Sequence, residues 1–517
     1  MDMSMTDNRK TPVFLDRVGL GLLLILALLL RSNLSYRTAF VDEALRIYEG
    51  WRILNGLPTQ IMTYHFGWPV FSTVPLGFAG WHGGLEWARG LNVVWGVLTV
   101  LVVTLTARRL YGKMAGFIAG GMFAVSGSAI FTSTFATHDS LSIFWASLAV
   151  YCWVRGLTDD TVYPYALGSF FMVLGSLTKY SAVTIALTAA VYACVLITGF
   201  FFWPRPPEKM NGGMAACRRA VAKFLAFLSP FLLLVVYGFV FRSELFKLWQ
   251  SQLLSKQSGA STIYLDILRG YLEMLWLPLA FGLIALIRRE GRHIRVGLLL
   301  IGVSVLLYHL LNKTDEAMFK HECFMLLGLA PLAGGGIVAL ADFLNKRLRT
   351  LRGDAVAGLL GLAAVVYLGW SGQNMLPEWH SFWPDTRELI DYLRENVRQN
   401  DLILMEGGNV GNLYLRVHGV PGRVPAEIAD TWWYEDEQGF GEEAYRRAIA
   451  EKRFDFIVLD NSLTPEFSAQ FLPLILEEYD LVASFPAYQF GDEGQIDVFR
   501  PKDDLSRSSS RSEEESG

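Results

Sequence analysis

Apolar residues in this chain come in runs of about 16 to 22, each long enough to cross the hydrocarbon core of a bilayer as a helix. Lipid offers no hydrogen bonds, so backbone that crosses it must satisfy its own donors and acceptors, and a run of this length does so as an α-helix. The runs fall near 13–30, 90–107, 114–131, 140–154, 162–178, 181–203, 224–241, 271–287, 296–312, 323–341 and 355–370, which predicts a polytopic α-helical membrane protein of about eleven spans. The first run follows Arg9 and Lys10 and leads into Arg31-Ser-Asn-Leu-Ser, not into a small-residue cleavage site, so it reads as a retained span.

Basic residues set the expected orientation. With the N-terminus inside, the groups Arg108, Arg109, Lys113; Arg218, Arg219, Lys223; Arg288, Arg289, Arg292, Arg295; and Lys346, Arg347, Arg349, Arg352 all fall on the inner side. The stretches 32–88, 132–139, 242–269 and 312–322 then face outward, as does everything after 370. A net charge of −4 with dispersed basic residues gives no footprint for nucleic acid. Cys152, Cys194, Cys217 and Cys323 lie in or beside apolar runs, with neither metal-type spacing nor an evident disulfide pairing.

Beyond Trp370 the pattern changes. An amphipathic helix over 386–398, buried strands at 401–406 and 454–460, a helix over 465–479 and strands at 481–485 and 495–500 predict a small α/β layer domain. The expected organisation is a membrane domain over 1–370, an extracytoplasmic α/β domain over 371–502 and a disordered tail over 503–517.

Polar chemistry cannot face lipid, so the candidates are the polar clusters at outer helix ends. Asp42 and Glu43 open an amphipathic segment, 44–57, expected to lie flat in the interface. His138 and Asp139 precede the fourth span. Lys179 and Tyr180 stand alone between two apolar runs. Lys320, His321 and Glu322 close a polar knot that begins at Lys313. Each has a plainer reading: helix cap for Asp42 and Asp139, headgroup snorkelling for Lys179, a solvated loop for 313–322. Trp432 to Asp436 reads as aromatic packing, and the glycines of 407–411 lack dinucleotide-binding spacing.

Order and spacing point further. A first span, an outer loop opening on Asp42-Glu43, then Trp87-Ala-Arg89-Gly-Leu-Asn92, Ala107-Arg108-Arg109-Leu-Tyr111-Gly112, Thr137-His138-Asp139-Ser-Leu and Leu177-Thr-Lys179-Tyr180 resemble the GT-C glycosyltransferases. More narrowly they resemble the protein O-mannosyltransferase and aminoarabinose transferase superfamily, over about the first 370 residues. In place of the Lys-Pro-Pro common in such relatives stands Tyr64-His65-Phe-Gly67-Trp68-Pro69. In place of their Arg-Tyr before a late span stands Lys320-His321-Glu322.

The resemblance implies transfer of a sugar from a polyprenyl-phosphate donor to a hydroxyl of a lipid, glycan or protein, at the outer face of the cytoplasmic membrane. It implies Asp42 as base with Glu43 supporting, and Asp139 orienting sugar or acceptor. Lys179, Lys320, His321, His65 and Arg89 would hold the phosphate, with His138 and Tyr180 flanking them. No cofactor is implied by ligand spacing, although a divalent cation fits beside Asp42 and Glu43. The competing reading is a polytopic transporter or lipid flippase. Such proteins place charges or helix breaks at the midplane of repeated halves; here the polar residues sit at helix ends and no repeat is visible.

Overall fold

The long apolar runs become helices because each buries its backbone polar groups internally, and the short alternating runs near the C-terminus pair as strands. The computed structural model describes residues 13–59, 69–202, 213–243, 262–314, 317–348, 353–432, 434–461, 463–489 and 492–502. His65 and the tail from Asp503 lie outside these residues. The chain divides into two compact units, one of residues 1–34, 59–72 and 89–376, the other of 35–58, 73–88 and 377–517.

The helices are α1 (Val13–Leu29), α2 (Val41–Leu54), α3 (Pro69–Tyr111), α4 (Lys113–Val125), α5 (Gly127–Thr134), α6 (Asp139–Asp159), α7 (Tyr163–Thr178), α8 (Ser181–Phe202), α9 (Gly213–Leu228), α10 (Leu232–Val240), α11 (Ile263–Ala285), α12 (Arg292–Asn312), α13 (Met318–Leu348) and α14 (Gly353–His380). Among the described residues eight helices are long and apolar enough to cross a membrane, or nine if α4 and α5, bent by 60° at Ser126, form one broken span. The other two expected spans are α1, described over 17 residues from the first described position, and α7, of 16 residues, short of the roughly 20 that cross a bilayer squarely.

In the first unit α13 is the central helix, and its glycines are what let neighbours approach. A Cβ on Gly336 would fall 1.8 Å from the Phe281 carbonyl oxygen of α11, and one on Gly328 would fall 2.1 Å from that of Leu298 on α12. Small residues at such crossings let backbones meet where lipid supplies no hydrophobic drive. Around it Phe123, Ile143, Trp153, Met172, Ile185, Ile267, Leu298 and Phe324 form one apolar core. Arg31, fully buried at the end of α1, donates to Ser133 (2.7 Å) and to the carbonyls of Ala27 (3.0 Å) and Ala124 (2.9 Å), pinning α1 to α4 and α5.

The second unit adds α15 (Arg387–Asn396), β1 (Leu402–Met405), α16 (Gly408–Gly411), β2 (Glu427–Asp430), a two-residue hairpin β3–β4 (Glu435–Asp436, Gly439–Phe440), α17 (Glu442–Ala450), β5 (Phe456–Leu459), α18 (Pro465–Glu478), β6 (Tyr479–Gln489) and β7 (Asp492–Pro501). The main sheet runs β2-β1-β5-β7-β6. β2, β1 and β5 are parallel, with Leu402 opposite Glu427 and Ile403 opposite Phe456; β7 joins β5 antiparallel and pairs along its length with β6. Tyr434, Tyr445, Phe454, Phe467 and Phe471 pack over one face. The aromatic reading of 432–436 therefore holds for Tyr434, whereas Trp432 is exposed.

One carboxylate organises the end of the parallel strands. Buried Glu406 accepts the amides of Asp460 (3.0 Å) and Asn461 (2.8 Å) on one oxygen and of Leu463 and Thr464 (2.6 Å each) on the other. Beside it Asp430 accepts from the Trp432 amide (3.1 Å). Burial pushes the Asp430 carboxyl up to about 6, against the pull of nearby amides.

The outer loop departs from expectation in two ways. Much of it is helical: α3 begins at Pro69 and runs, with a break at Gly84, into the second expected span. And α2 does not present an apolar face to lipid, for Glu43, Arg46, Ile47, Tyr48, Glu49 and Gly50 are all buried. Within the second unit, Gly50 of α2 meets Gly77 of α3 so closely that a Cβ on Gly77 would lie 2.3 Å from the Gly50 carbonyl carbon. The Arg416 guanidinium donates to the Tyr48 hydroxyl (2.8 Å), Trp383 Nε1 donates to the Thr38 carbonyl (2.9 Å), and the Ala39 amide donates to the Tyr414 hydroxyl (2.9 Å). An interfacial helix buries only one stripe; protein contacts on both sides bury this one.

Candidate functional site

In the first unit the site grows from three helix starts. α6 begins at Asp139 with His138 as the flanking residue, and no side-chain cap bond forms there. Asp139 instead accepts from the Thr137 hydroxyl (2.7 Å) and from the Lys179 ammonium. The cap reading of Asp139 thus gives way to an ion pair. The approach to α6 is held by Asn92 of α3, whose side-chain amide donates to the carbonyls of Phe135 (2.5 Å) and Thr137 (2.7 Å), while its own carbonyl accepts from the Ser140 hydroxyl (2.8 Å).

Lys179 reaches Asp139 because the chain is extended between α7 and α8, with its amide still tied to the Gly175 carbonyl (2.9 Å). The Ser142 hydroxyl of α6 donates to that same carbonyl (2.9 Å), which brings the start of α6 against the end of α7. Tyr180 follows, half-buried, and its carbonyl accepts the Val183 amide (2.9 Å) as α8 begins.

α13 supplies the third piece. Its start is tied down by the Ser128 hydroxyl of α5, which donates to the Phe319 carbonyl (2.6 Å). Lys320 is buried with its ammonium 4.7 Å from the Phe135 ring centroid, a cation–π contact. His321 is buried between Ser181 and His309, its two ring nitrogens 3.0 Å from each. The solvated-loop reading therefore fails for Lys320 and His321, which lie inside the bundle.

Asp139, His138, Lys179, Lys320 and His321 form one electrostatic cluster: His138, Lys179 and Lys320 all act on Asp139, and Lys179, Lys320 and Asp139 all act on His321. Four basic side chains and one carboxylate, gathered where helices begin, suit an anionic group better than a neutral one. Arg89 is fully buried and donates to the Leu34 carbonyl (2.6 Å), tying α3 to the end of the first span.

Asp42 and Glu43 belong to the second unit, in the first turn of α2. The helix is capped at Phe40, not Asp42: the Phe40 amide donates back to Glu43 Oε2 (3.1 Å). Glu43 is buried in that role, while Asp42 at the second position is only partly buried. Among the described residues, no group of three or more His, Cys, Asp or Glu side chains is arranged to hold a metal ion.

Residues 82–202 match the family model described as dolichyl-phosphate-mannose-protein mannosyltransferase. The crystal structure of ArnT from Cupriavidus metallidurans bound to undecaprenyl phosphate superposes with a TM-score of 0.58 at 12% identity, covering 94% of this chain and 98% of that one. The oligosaccharyltransferase of Archaeoglobus fulgidus in its apo form gives 0.58 at 14% identity, over 93% of this chain and 74% of that one. No curated protein matches the chain by sequence.

The chain has the GT-C glycosyltransferase fold. The segment matched by the family model carries five of the expected GT-C site residues, Arg89, His138, Asp139, Lys179 and Tyr180, while Asp42, Glu43, Lys320 and His321 lie outside it. Sequence reasoning passed over Ser181 and His309, and quoted Asn92 only as the end of a motif, without a role. Their signal was a polar residue inside an apolar run, faint because one serine or asparagine at a GT-C helix end looks like an ordinary cap.

Proposed function

We propose that this protein transfers a sugar from a polyprenyl-phosphate donor to a hydroxyl acceptor, with the donor phosphate held by the Lys179–Lys320–His321 cluster. The observation that carries the reading is that cluster itself: two lysines, a histidine and Asp139 buried together in a fold shared with ArnT bound to undecaprenyl phosphate and with the Archaeoglobus fulgidus oligosaccharyltransferase in complex with a dolichol-phosphate. The lipid tail of such a donor stays in the bilayer, so its phosphate must be met at a helix end by cations. The leaving polyprenyl phosphate departs already ionised and needs no strong acid. The acceptor hydroxyl needs a base, and Asp42, a partly exposed carboxylate in a helix first turn, is assigned that role, with Glu43 holding the turn. Asp139, neutralised by Lys179, orients sugar or acceptor. Direct displacement inverts the anomeric centre.

The basic clusters support an N-terminus on the inner side, which assigns Asp42 and the C-terminal α/β domain to the outer face of the cytoplasmic membrane. The acceptor is a lipid, glycan or protein hydroxyl. The test is transfer of labelled sugar from a polyprenyl-phosphate donor by purified protein, beside mass spectrometry of lipids and glycans from cells with and without the gene. No change in any glycoconjugate, with no transfer in vitro, overturns the reading.

A further inference from the structure

A chain of four groups runs behind the cation cluster. The Ser181 hydroxyl lies 3.0 Å from His321 Nε2, His321 Nδ1 lies 3.0 Å from His309 Nε2, and His309 Nδ1 lies 2.6 Å from the Thr314 carbonyl oxygen. All four residues are buried, His309 completely. Ser181 is the first residue of α8, two positions after Lys179, and His309 lies in the last turn of α12.

The carbonyl end settles the direction of this chain. A carbonyl only accepts, so His309 Nδ1 carries a proton and donates to Thr314. In the uncharged pair His309 Nε2 must then accept, His321 Nδ1 donates to it, and His321 Nε2 accepts from the Ser181 hydroxyl. Now add one proton. Placed on His321, it makes Nε2 a donor toward Ser181. Placed on His309, it makes Nε2 of that ring a donor toward His321 Nδ1, and His321 must carry its own proton on Nε2, again donating to Ser181. In both cases Ser181 turns from donor to acceptor, and its O–H is released to donate elsewhere. No ring has to rotate.

We infer that Ser181 and His309 are positioning residues for the donor and leaving-group phosphate, working with His321 as a proton-coupled relay; this rests on the phosphate reading of the Lys179–Lys320 cluster. Cleavage of the sugar–oxygen bond turns the singly charged phosphodiester of the donor into a phosphate dianion beside Lys179 and Lys320, and this added negative charge draws one proton from solvent onto the histidine pair. Ser181 then points its hydroxyl at a phosphate oxygen. When the phosphate leaves, the proton returns to solvent and Ser181 turns back into His321. His309 sets the register, since without its fixed Nδ1–H the His321 ring is free to present either tautomer. Among the described residues, the charged and titratable groups around the pair are Lys179, Asp139 of α6 and Lys320 of α13, with Tyr308 of α12 (6.4 Å between ring centroids) against His321 and Tyr271 of α11 (5.8 Å) against His309. Glu322 follows His321 in α13 and acts on Tyr271.

The test is binding of a polyprenyl monophosphate to purified full-length protein from pH 5.5 to 8.5, with proton uptake read by calorimetry in buffers of different ionisation enthalpy. One coupled proton adds a slope of about tenfold in affinity per pH unit where it is taken up. The phosphate's own ionisation contributes equally to every variant, so differences isolate the relay. Wild type should take up more protons on binding than His309→Phe, which keeps a ring beside Tyr271 but neither accepts from His321 nor donates to Thr314. Ser181→Ala, a small change at a helix start, should lose about tenfold in affinity at low pH and little at high pH. Wild-type slopes and proton counts in both variants overturn the relay while leaving the phosphate site standing. Absence of monophosphate binding in wild type overturns the relay and the phosphate site together.

Discussion

Lys179 and Asp139, forty positions apart, meet as a buried ion pair between the end of α7 and the start of α6. A buried charge is tolerated because it has its partner, and removing one member leaves the other stranded. Lys179→Ala should therefore destabilise the protein by about 3–5 kcal/mol. The doubly neutral Asp139→Asn, Lys179→Met should recover most of that loss while remaining inactive in transfer. Thermal midpoints in detergent together with the transfer assay separate the two effects. If Lys179→Ala melts as wild type does, the pair is not a buried charge pair in solution.

Lys320 offers the cleaner probe of phosphate binding, since its ammonium rests on the Phe135 ring. Lys320→Ala should weaken donor use by about ten- to a hundredfold, the span of a charged hydrogen bond of roughly 1.5–3 kcal/mol. Donor kinetics equal to wild type would remove Lys320 from the site.

The two acids of α2 should separate by function. Glu43 closes the helix start, and Glu43→Gln keeps that bond whereas Glu43→Ala costs about 0.5–2 kcal/mol. Asp42 does not cap. Asp42→Asn should leave the thermal midpoint unchanged and lower turnover by about 10² to 10⁴. Full activity in Asp42→Asn would end its assignment as base.

Asp430 predicts a pH dependence. Its folded carboxyl titrates at about 6 against 3.8 for the ordinary group, so the folded state holds the proton more tightly. Stability from this group is complete below the ordinary value and is lost as pH rises toward the folded one. Asp430→Asn should flatten that fall and be more stable at pH 7.5 by roughly 1–3 kcal/mol. Calorimetric unfolding at pH 4.5 and 7.5 reads it directly; an unchanged difference between the two pH values in the variant would place the titration elsewhere.

Orientation is checked by single cysteines in a cysteine-free background. Glu466→Cys on α18 and Arg289→Cys after α11 both replace exposed residues. Glu466→Cys should react with an impermeant thiol reagent in intact cells, or in spheroplasts where an outer membrane intervenes, and Arg289→Cys should not. The reverse pattern would put Asp42 on the cytoplasmic side.

What could be read from sequence follows from the range of the forces involved. A span announces itself through its own composition, so each apolar run fell on helix, although α3 starts well before its run and α14 ends well after its own, and buried strands such as 402–405 and 456–459 matched closely. β2 was missed because Glu427-Ile-Ala-Asp430 is short and half polar, and pairs only through partners twenty-five residues away. The burial of α2 was missed for a related reason: its polar residues look solvated until Tyr414 and Arg416 are folded against the chain around them. Asp139, Lys179, Lys320 and His321 were visible as charges interrupting apolar sequence. That Lys179 pairs with Asp139, or that His309 stands behind His321, depends on helix crossings that no local pattern encodes.

The meeting of Gly50 and Gly77 has its own consequence. Main chain touches main chain there, so the seat of α2 on the following helix depends on two absent side chains and hardly on the ones present. Exposed positions of α2 such as Leu54 can drift freely over generations without moving Asp42 against that helix. A single methyl at either glycine cannot drift in at all, and relatives that keep this crossing are expected to keep both positions bare while the residues around them diverge.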